Sequence, residues 1–221
     1  GVPTVAGTLA NSVSDVDQAG TLDDILSFAA NTAGTYGALR LSTATGAWTY
    51  TLNNADIDTQ GLNAGETALD RFTYTVTDAA GATASSTIVI TIPGANDAPT
   101  AASTGGAVTE DGGTAGVPTV AGTLANSVSD VDQAGTLDDI LSFAANTAGT
   151  YGVLTLDTAS GTWTYALNNS DSDTQILMKG QTAVETLVYT VTDEAGAGAT
   201  ATLSITITGA SDGSAPADLW L

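Results

Sequence analysis

Residues Gly1 to Gly37 recur without one change as Gly116 to Gly152, an offset of 115. The register then runs on without a gap through a diverged half, setting Trp48 on Trp163, Tyr74 on Tyr189, Asp78 on Asp193 and Gly94 on Gly209. A chain of 221 residues built this way is constrained to fold as two like units, because a repeated segment finds the same partners in each copy. Each copy is also within the ordinary size of a self-sufficient core, about 100 to 150 residues. We divide the chain into a first repeat at 1–97, a second at 98–212, and residues 213–221 as a tail or the start of a following module. Identity this close reflects recent tandem duplication and implies further copies in the parent protein.

Within a copy, apolar and polar residues alternate at the period of half-buried strands. Trp48, Tyr50 and Leu52 share one face, as do Phe72, Tyr74 and Val76, and Ile88, Ile90 and Ile92. Leu39 and Leu41 lead through STATG into the Trp48 strand, a hairpin closed by Gly46. With strands near Val5 to Leu9 and Leu26 to Phe28 the first copy has six, and its seventh is expected before residue 1. The second copy carries that strand around Ala107 to Thr109. Short Thr-, Val- and Ile-rich strands with frequent turn signals predict an all-β chain of two immunoglobulin-like β-sandwiches of about seven strands each, the first lacking its N-terminal strand. No segment has a helical period. The alternating aromatics are expected in the core rather than on a sugar-stacking surface.

Acidic residues number 24 against Arg40, Arg71 and Lys179, a formal charge of −21. Phosphate binding needs clustered Lys and Arg, so nucleic acid is excluded as a natural partner and anionic membrane surfaces are disfavoured. Cysteine and histidine are both absent. Disulfides, thiolate metal sites, the His-dependent triads and the usual zinc sites fall away with them. No apolar run approaches the roughly 18 residues of a membrane span. The chain opens mid-pattern at Gly1, as an excised piece does, so a missing leader says nothing about secretion.

A strand carries the chain from one end of a sandwich to the other, which sorts the acids by pole. On that reckoning Glu66, Asp70, Asn96, Asp97, Asp130, Asp132 and Asp193 gather at the junction between the copies. Glu110, Asp111, Glu185 and Asp212 belong to a downstream junction, weakened by Gln181 and Ser211 in place of Glu66 and Asn96. Asp15, Asp17 and Asp78 form an upstream half-site. Two carboxylates about 6 Å apart repel by roughly 3 kcal/mol at an effective dielectric near 20, so clustered acids call for cations. An all-oxygen set with D-V-D spacing suits Ca2+, which takes six to eight such ligands in flexible geometry. The DVDQAG loop lacks the third acid of an EF-hand, and a hydrated acidic linker is the other reading of the same residues.

The runs GTYG, WTYTLNN, AGET, FTYTVTDAAGATAS and ITIPGANDAP resemble the VCBS repeat of very long bacterial surface proteins, including RTX adhesins, over nearly all of both copies. The acids also resemble the cadherin pattern, in which such groups bind Ca2+ between modules. The roles would fall on Glu110 in the first strand, Glu66 or Asp70 before the sixth, Asn96 with Asp97, Asp130 with Asp132, and Asp193. Glu110 belongs to the second copy, whereas the pattern would take that acid from the first. The resemblance implies cadherin-like sandwiches in an extracellular stalk on the bacterial surface, with neighbouring repeats as partners and Ca2+ as the stiffening ion. Three other readings are a carbohydrate-binding adhesion module, an enzyme working through paired carboxylates, and a subunit of a head-to-tail filament. In the last, the tail Ala215 to Leu221 would complete the first copy of the next chain by strand addition.

Overall fold

Alternation at period two turns every second side chain of strand β5 (Thr67–Asp78) inward, burying Asp70, Phe72, Tyr74 and Val76. Its hairpin partner β6 (Thr83–Pro93) buries Ile88, Ile90 and Ile92 in the same way. The computed structural model describes residues 3–14, 25–132 and 140–211. It divides into two units, Gly1–Asn96 and Asp97–Leu221.

In the first unit β1 (Thr4–Thr8), β4 (Ala47–Leu52) and β3 (Gly37–Leu41) form one antiparallel sheet in the order β1-β4-β3. The second sheet is β2-β5-β6, with β2 (Ile25–Ala30) beside β5. The β3–β4 hairpin turns at Gly46, whose φ of 66° is the left-handed backbone that a glycine adopts without a Cβ penalty. Between the sheets Tyr50 and Phe72 meet with ring centroids 5.8 Å apart and planes tilted by 58°. The edge of β6 away from β5 has no neighbouring strand among the described residues.

The second unit repeats both sheets and completes one. Strands β12 (Gly152–Leu156), β13 (Thr162–Leu167) and β9 (Thr119–Thr123) correspond to β3, β4 and β1. The other sheet has the order β11-β14-β15-β8, from β11 (Ile140–Ala145), β14 (Thr182–Asp193), β15 (Gly198–Thr208) and β8 (Thr104–Thr109). The strand expected around Ala107 to Thr109 is thus β8. It runs parallel to β15, with Leu203 opposite Thr104 and Thr208 opposite Thr109. Two short strands, β7 (Thr100–Ala101) and β10 (Val128–Ser129), pair separately.

The added strand seals the core. Tyr74, Val76 and Ile90 keep 7%, 9% and 8% of their surface exposed, whereas the matching Tyr189, Val191 and Ile205 are at 0%. Trp48 and Trp163 lie on the core side, each with its indole so close to a glycine of the neighbouring strand, Gly7 and Gly122, that a Cβ there would collide with it. Among the described residues helix enters as single turns, the α-helical α1 (Ile57–Gln60) and α2 (Ser172–Gln175) and the 3-10 turns Ala10–Ser12 and Ala125–Ser127. Asp56 and Asp171 start α1 and α2 by accepting from the N–H two residues on. One turn is too short to express a helical period, which is why the sequence shows none.

Candidate metal-binding poles

In the second unit the pairing of β7 with β10 draws the segment before β7 toward the D-V-D loop after β10. The backbone N–H of Asp97 donates to Asp132 Oδ2 at 2.7 Å. Asp132 N–H in turn donates to Asp130 Oδ1 at 3.1 Å. Both aspartates are buried, and Asp130 Oδ2 is enclosed with no hydrogen-bond partner. Asp193, the last residue of β14, is also buried, and its Oδ1 accepts from Ala197 N–H at 2.7 Å in the turn to β15. Among the described residues no three carboxylates converge in ligating geometry. The fit to a hard cation therefore rests on the donor set and on the enclosed Asp130 oxygen, a group whose burial is costly until something coordinates it.

The far pole of the same unit shows what Glu110 and Asp111 do at the end of β8. Glu110 is fully buried and accepts from Gln175 Nε2 at 2.9 Å and from Ala210 N–H at 3.0 Å. Asp111 is exposed, takes Asn169 Nδ2 at 2.8 Å and accepts from Gly116 N–H at 2.7 Å. The pair thus clasps β8 to the loop and helix around α2. Sequence reasoning singled out neither Asn169 nor Gln175. The one signal available was that Asn54 and Gln60 stand at the same positions of the first copy.

Asp70 and Glu185, equivalent through the repeat, face the interior. Asp70 accepts from Thr35 N–H at 2.8 Å, Tyr36 N–H at 3.2 Å and the Tyr50 hydroxyl at 2.7 Å. Glu185 accepts from Thr150 N–H and the Tyr165 hydroxyl. A Cβ at Gly34 or Gly149 would collide with these carboxyl groups, so a glycine there lets each acid reach its loop. Burial, followed by the carboxylate they hold, pushes both phenols well above the usual tyrosine range.

The remaining acids are held locally. Glu66 is exposed and accepts from Asn63 N–H at 3.1 Å through Oε2. Asp78 is half-buried and takes Ala82 N–H at 2.8 Å. Asn96 is half-buried. Asp15, Asp17 and Asp212 lie outside the described residues.

Solved structures that this chain matches include mouse cadherin-23 EC22-24 at 12% identity, covering 83% of this chain and 52% of that one, with a TM-score of 0.44. Protocadherin gamma C5 EC1-3 matches at 16% identity over 83% and 56%, with a TM-score of 0.47. The chain thus spans about half the length of these structures. No curated protein sequence matches it. The family model described as the bacterial cadherin-like domain matches residues 1–94 and again 96–209, once per sandwich. With nearly its whole length accounted for by two copies of that module, the chain belongs to the bacterial cadherin-like domain family.

Proposed function

We propose that this chain is a non-enzymatic spacer of a long, VCBS-like bacterial surface adhesin, exported from the cell and stiffened by Ca2+ where repeats meet. The observation that carries the reading is the Asp130 carboxylate, buried beside Asp132 with one oxygen unpartnered, in a chain with three basic side chains to offset 24 acids. Asp97, Asp130, Asp132 and Asp193 would hold the ion from the second repeat, and Glu66, Asp70 and Asn96 from the first. Glu110, Asp111, Glu185 and Asp212 would serve a following junction, and Asp15, Asp17 and Asp78 a preceding one. Asp70, Glu110 and Glu185 also hold the fold together, so a metal would share them with their N–H and O–H donors. When bound, the cation supplies charge neutralisation, and its binding free energy adds to stability by mass action.

Two features favour a spacer over a catalyst or a lectin. The charged side chains lining the depression of about 590 Å³ beside Glu110 are that carboxylate and Lys179, and those lining one of about 520 Å³ in the first unit are Asp56 and Arg40, so each offers a single carboxylate. Paired carboxylates across a cleft are what glycoside hydrolysis requires. Trp163, Tyr165 and Tyr189 are buried in the core and offer no stacking surface. No helix among the described residues is long and apolar enough to cross a membrane.

The test is calorimetric titration with Ca2+, alongside Mg2+, together with small-angle scattering and melting with and without chelator. The reading expects saturable Ca2+ binding, a higher melting temperature and less flexibility between the repeats. Profiles that do not respond to Ca2+ overturn it.

A further inference from the structure

The first sandwich carries a polar depression of about 520 Å³ where β3 and β4 meet the loop that follows β4. Thr35, Ala38, Arg40, Thr51, Asn53 and Asp56 are among its lining. A second depression of about 430 Å³ shares Ala38 and Arg40 with it. Backbone bonds fix the walls. Asn53 N–H donates to Tyr36 O at 2.8 Å, Gly34 N–H to Gly37 O at 2.9 Å, and Asp56 N–H to Asn53 O at 3.1 Å. Gly37 permits this close approach, since a Cβ there would stand 2.4 Å from Thr51 O.

Some of the polar atoms are already occupied. Asp56 Oδ1 accepts from Asp58 N–H at 3.0 Å, and Asn53 Oδ1 from Ala55 N–H at 3.2 Å. That leaves Asp56 Oδ2, Asn53 Nδ2, two threonine hydroxyls and the guanidinium to meet a ligand. Arg40 makes no hydrogen bond or ion pair among the described residues, although the chain has 24 acids for three basic side chains. The depression thus holds one cation and one carboxylate that do not pair with each other.

Net charge decides which ligand suits such a lining. At −21 the chain repels a simple anion, and a simple cation finds carboxylates all over the molecule. A zwitterion escapes both effects. Arg40 lies opposite Thr49 on β4, and Asp56 follows the end of that strand at Leu52, so their backbone positions stand about 10 Å apart. That span suits the separated charges of a two- or three-residue peptide better than those of a single amino acid.

We propose that this depression binds a short zwitterionic peptide, its carboxylate on the Arg40 fork, its ammonium on Asp56, and its amides against Thr51 and Asn53. The inference goes beyond the spacer reading and needs no metal. It is specific to the first unit. The two copies are identical up to Gly37 and Gly152 and part at the next residue, where Val153 replaces Ala38 and is 57% exposed. Thr155 then replaces Arg40, and Ala166 replaces Thr51, while Thr150, Asn168 and Asp171 keep the other half of the lining.

The experiment titrates the whole chain with triglycine, followed by amide NMR, with diglycine, end-blocked triglycine, acetate and methylammonium as separate arms. The proposal expects saturable, millimolar binding of the free peptides, with shifts on β3, β4 and the loop after β4 and none at their counterparts in the second unit. Arg40→Thr, which installs the second copy's residue, and Asp56→Asn, which keeps a side chain able to start α1, should each weaken binding at least about tenfold. Absence of saturable binding by either free peptide would overturn the proposal. Equal binding of the blocked peptide, acetate or methylammonium, equal shifts in both units, or unchanged affinity in Arg40→Thr would do so as well.

Discussion

The Tyr50 hydroxyl donates to Asp70 Oδ2 at 2.7 Å across the interior of the first sandwich, joining β4 of one sheet to β5 of the other. The same carboxylate accepts from the N–H groups of Thr35 and Tyr36, so one side chain ties a strand, a facing strand and a loop. Glu185 makes the equivalent joint in the second unit, one methylene longer.

Removing this joint should cost more than a surface change. Asp70→Ala leaves two loop N–H groups and a buried phenol short of an acceptor, a loss of about 2–4 kcal/mol. Denaturant unfolding should place that loss in the first unit and leave the second unchanged. A variant as stable as the wild type would show that the loop finds water instead.

Alkaline pH should act through the same tyrosines. The folded state raises the Tyr50 and Tyr165 phenols above their ordinary 10.0. The unfolded chain therefore releases protons first, and the stability they contribute is intact below about pH 10 and falls as pH rises beyond it. Tyr50→Phe should be less stable at neutral pH and should lose less of its stability between pH 9 and 11. Thermal melts of the two proteins across that range decide the point.

Asp130→Asn offers a change of sign. Without Ca2+ the substitution removes a buried charge with an unpartnered oxygen and should raise the melting temperature slightly. In millimolar Ca2+ it removes a ligand and should lower both the melting temperature and the measured affinity, the latter by at least about tenfold. Paired melts with and without chelator test both halves, and a variant that behaves alike in the two conditions counts against Asp130 as a ligand.

The two sandwiches should melt separately. The first buries Tyr74 and Val76 of β5 and Ile90 of β6 slightly less completely than the second buries their counterparts, and burial of such surface stabilises by about 25 cal/mol per Å². Calorimetry should resolve two transitions with the first unit unfolding earlier, assigned by Phe72→Leu, which should move only the lower one. Coincident transitions, both displaced by that substitution, would show coupled unfolding.

The residue string by itself determined the count of units, the inward faces of β5 and β6 and the hairpin at Gly46, because a two-residue period and an exact duplication are properties of order along the chain. It also located β8 near Ala107 to Thr109. What only the tertiary structure decided was where each acid points. Asp70 and Glu185 occupy inward positions of their strands, and whether such a carboxylate meets water, a metal or a hydroxyl depends on the facing sheet, which supplies Tyr50 and Tyr165. Glu110 likewise reads as one more charge until folding brings Gln175 and Ala210 to it from 65 and 100 residues away. Period and composition are local quantities, whereas satisfying a buried charge is a matter of three-dimensional neighbours, and those are chosen by packing.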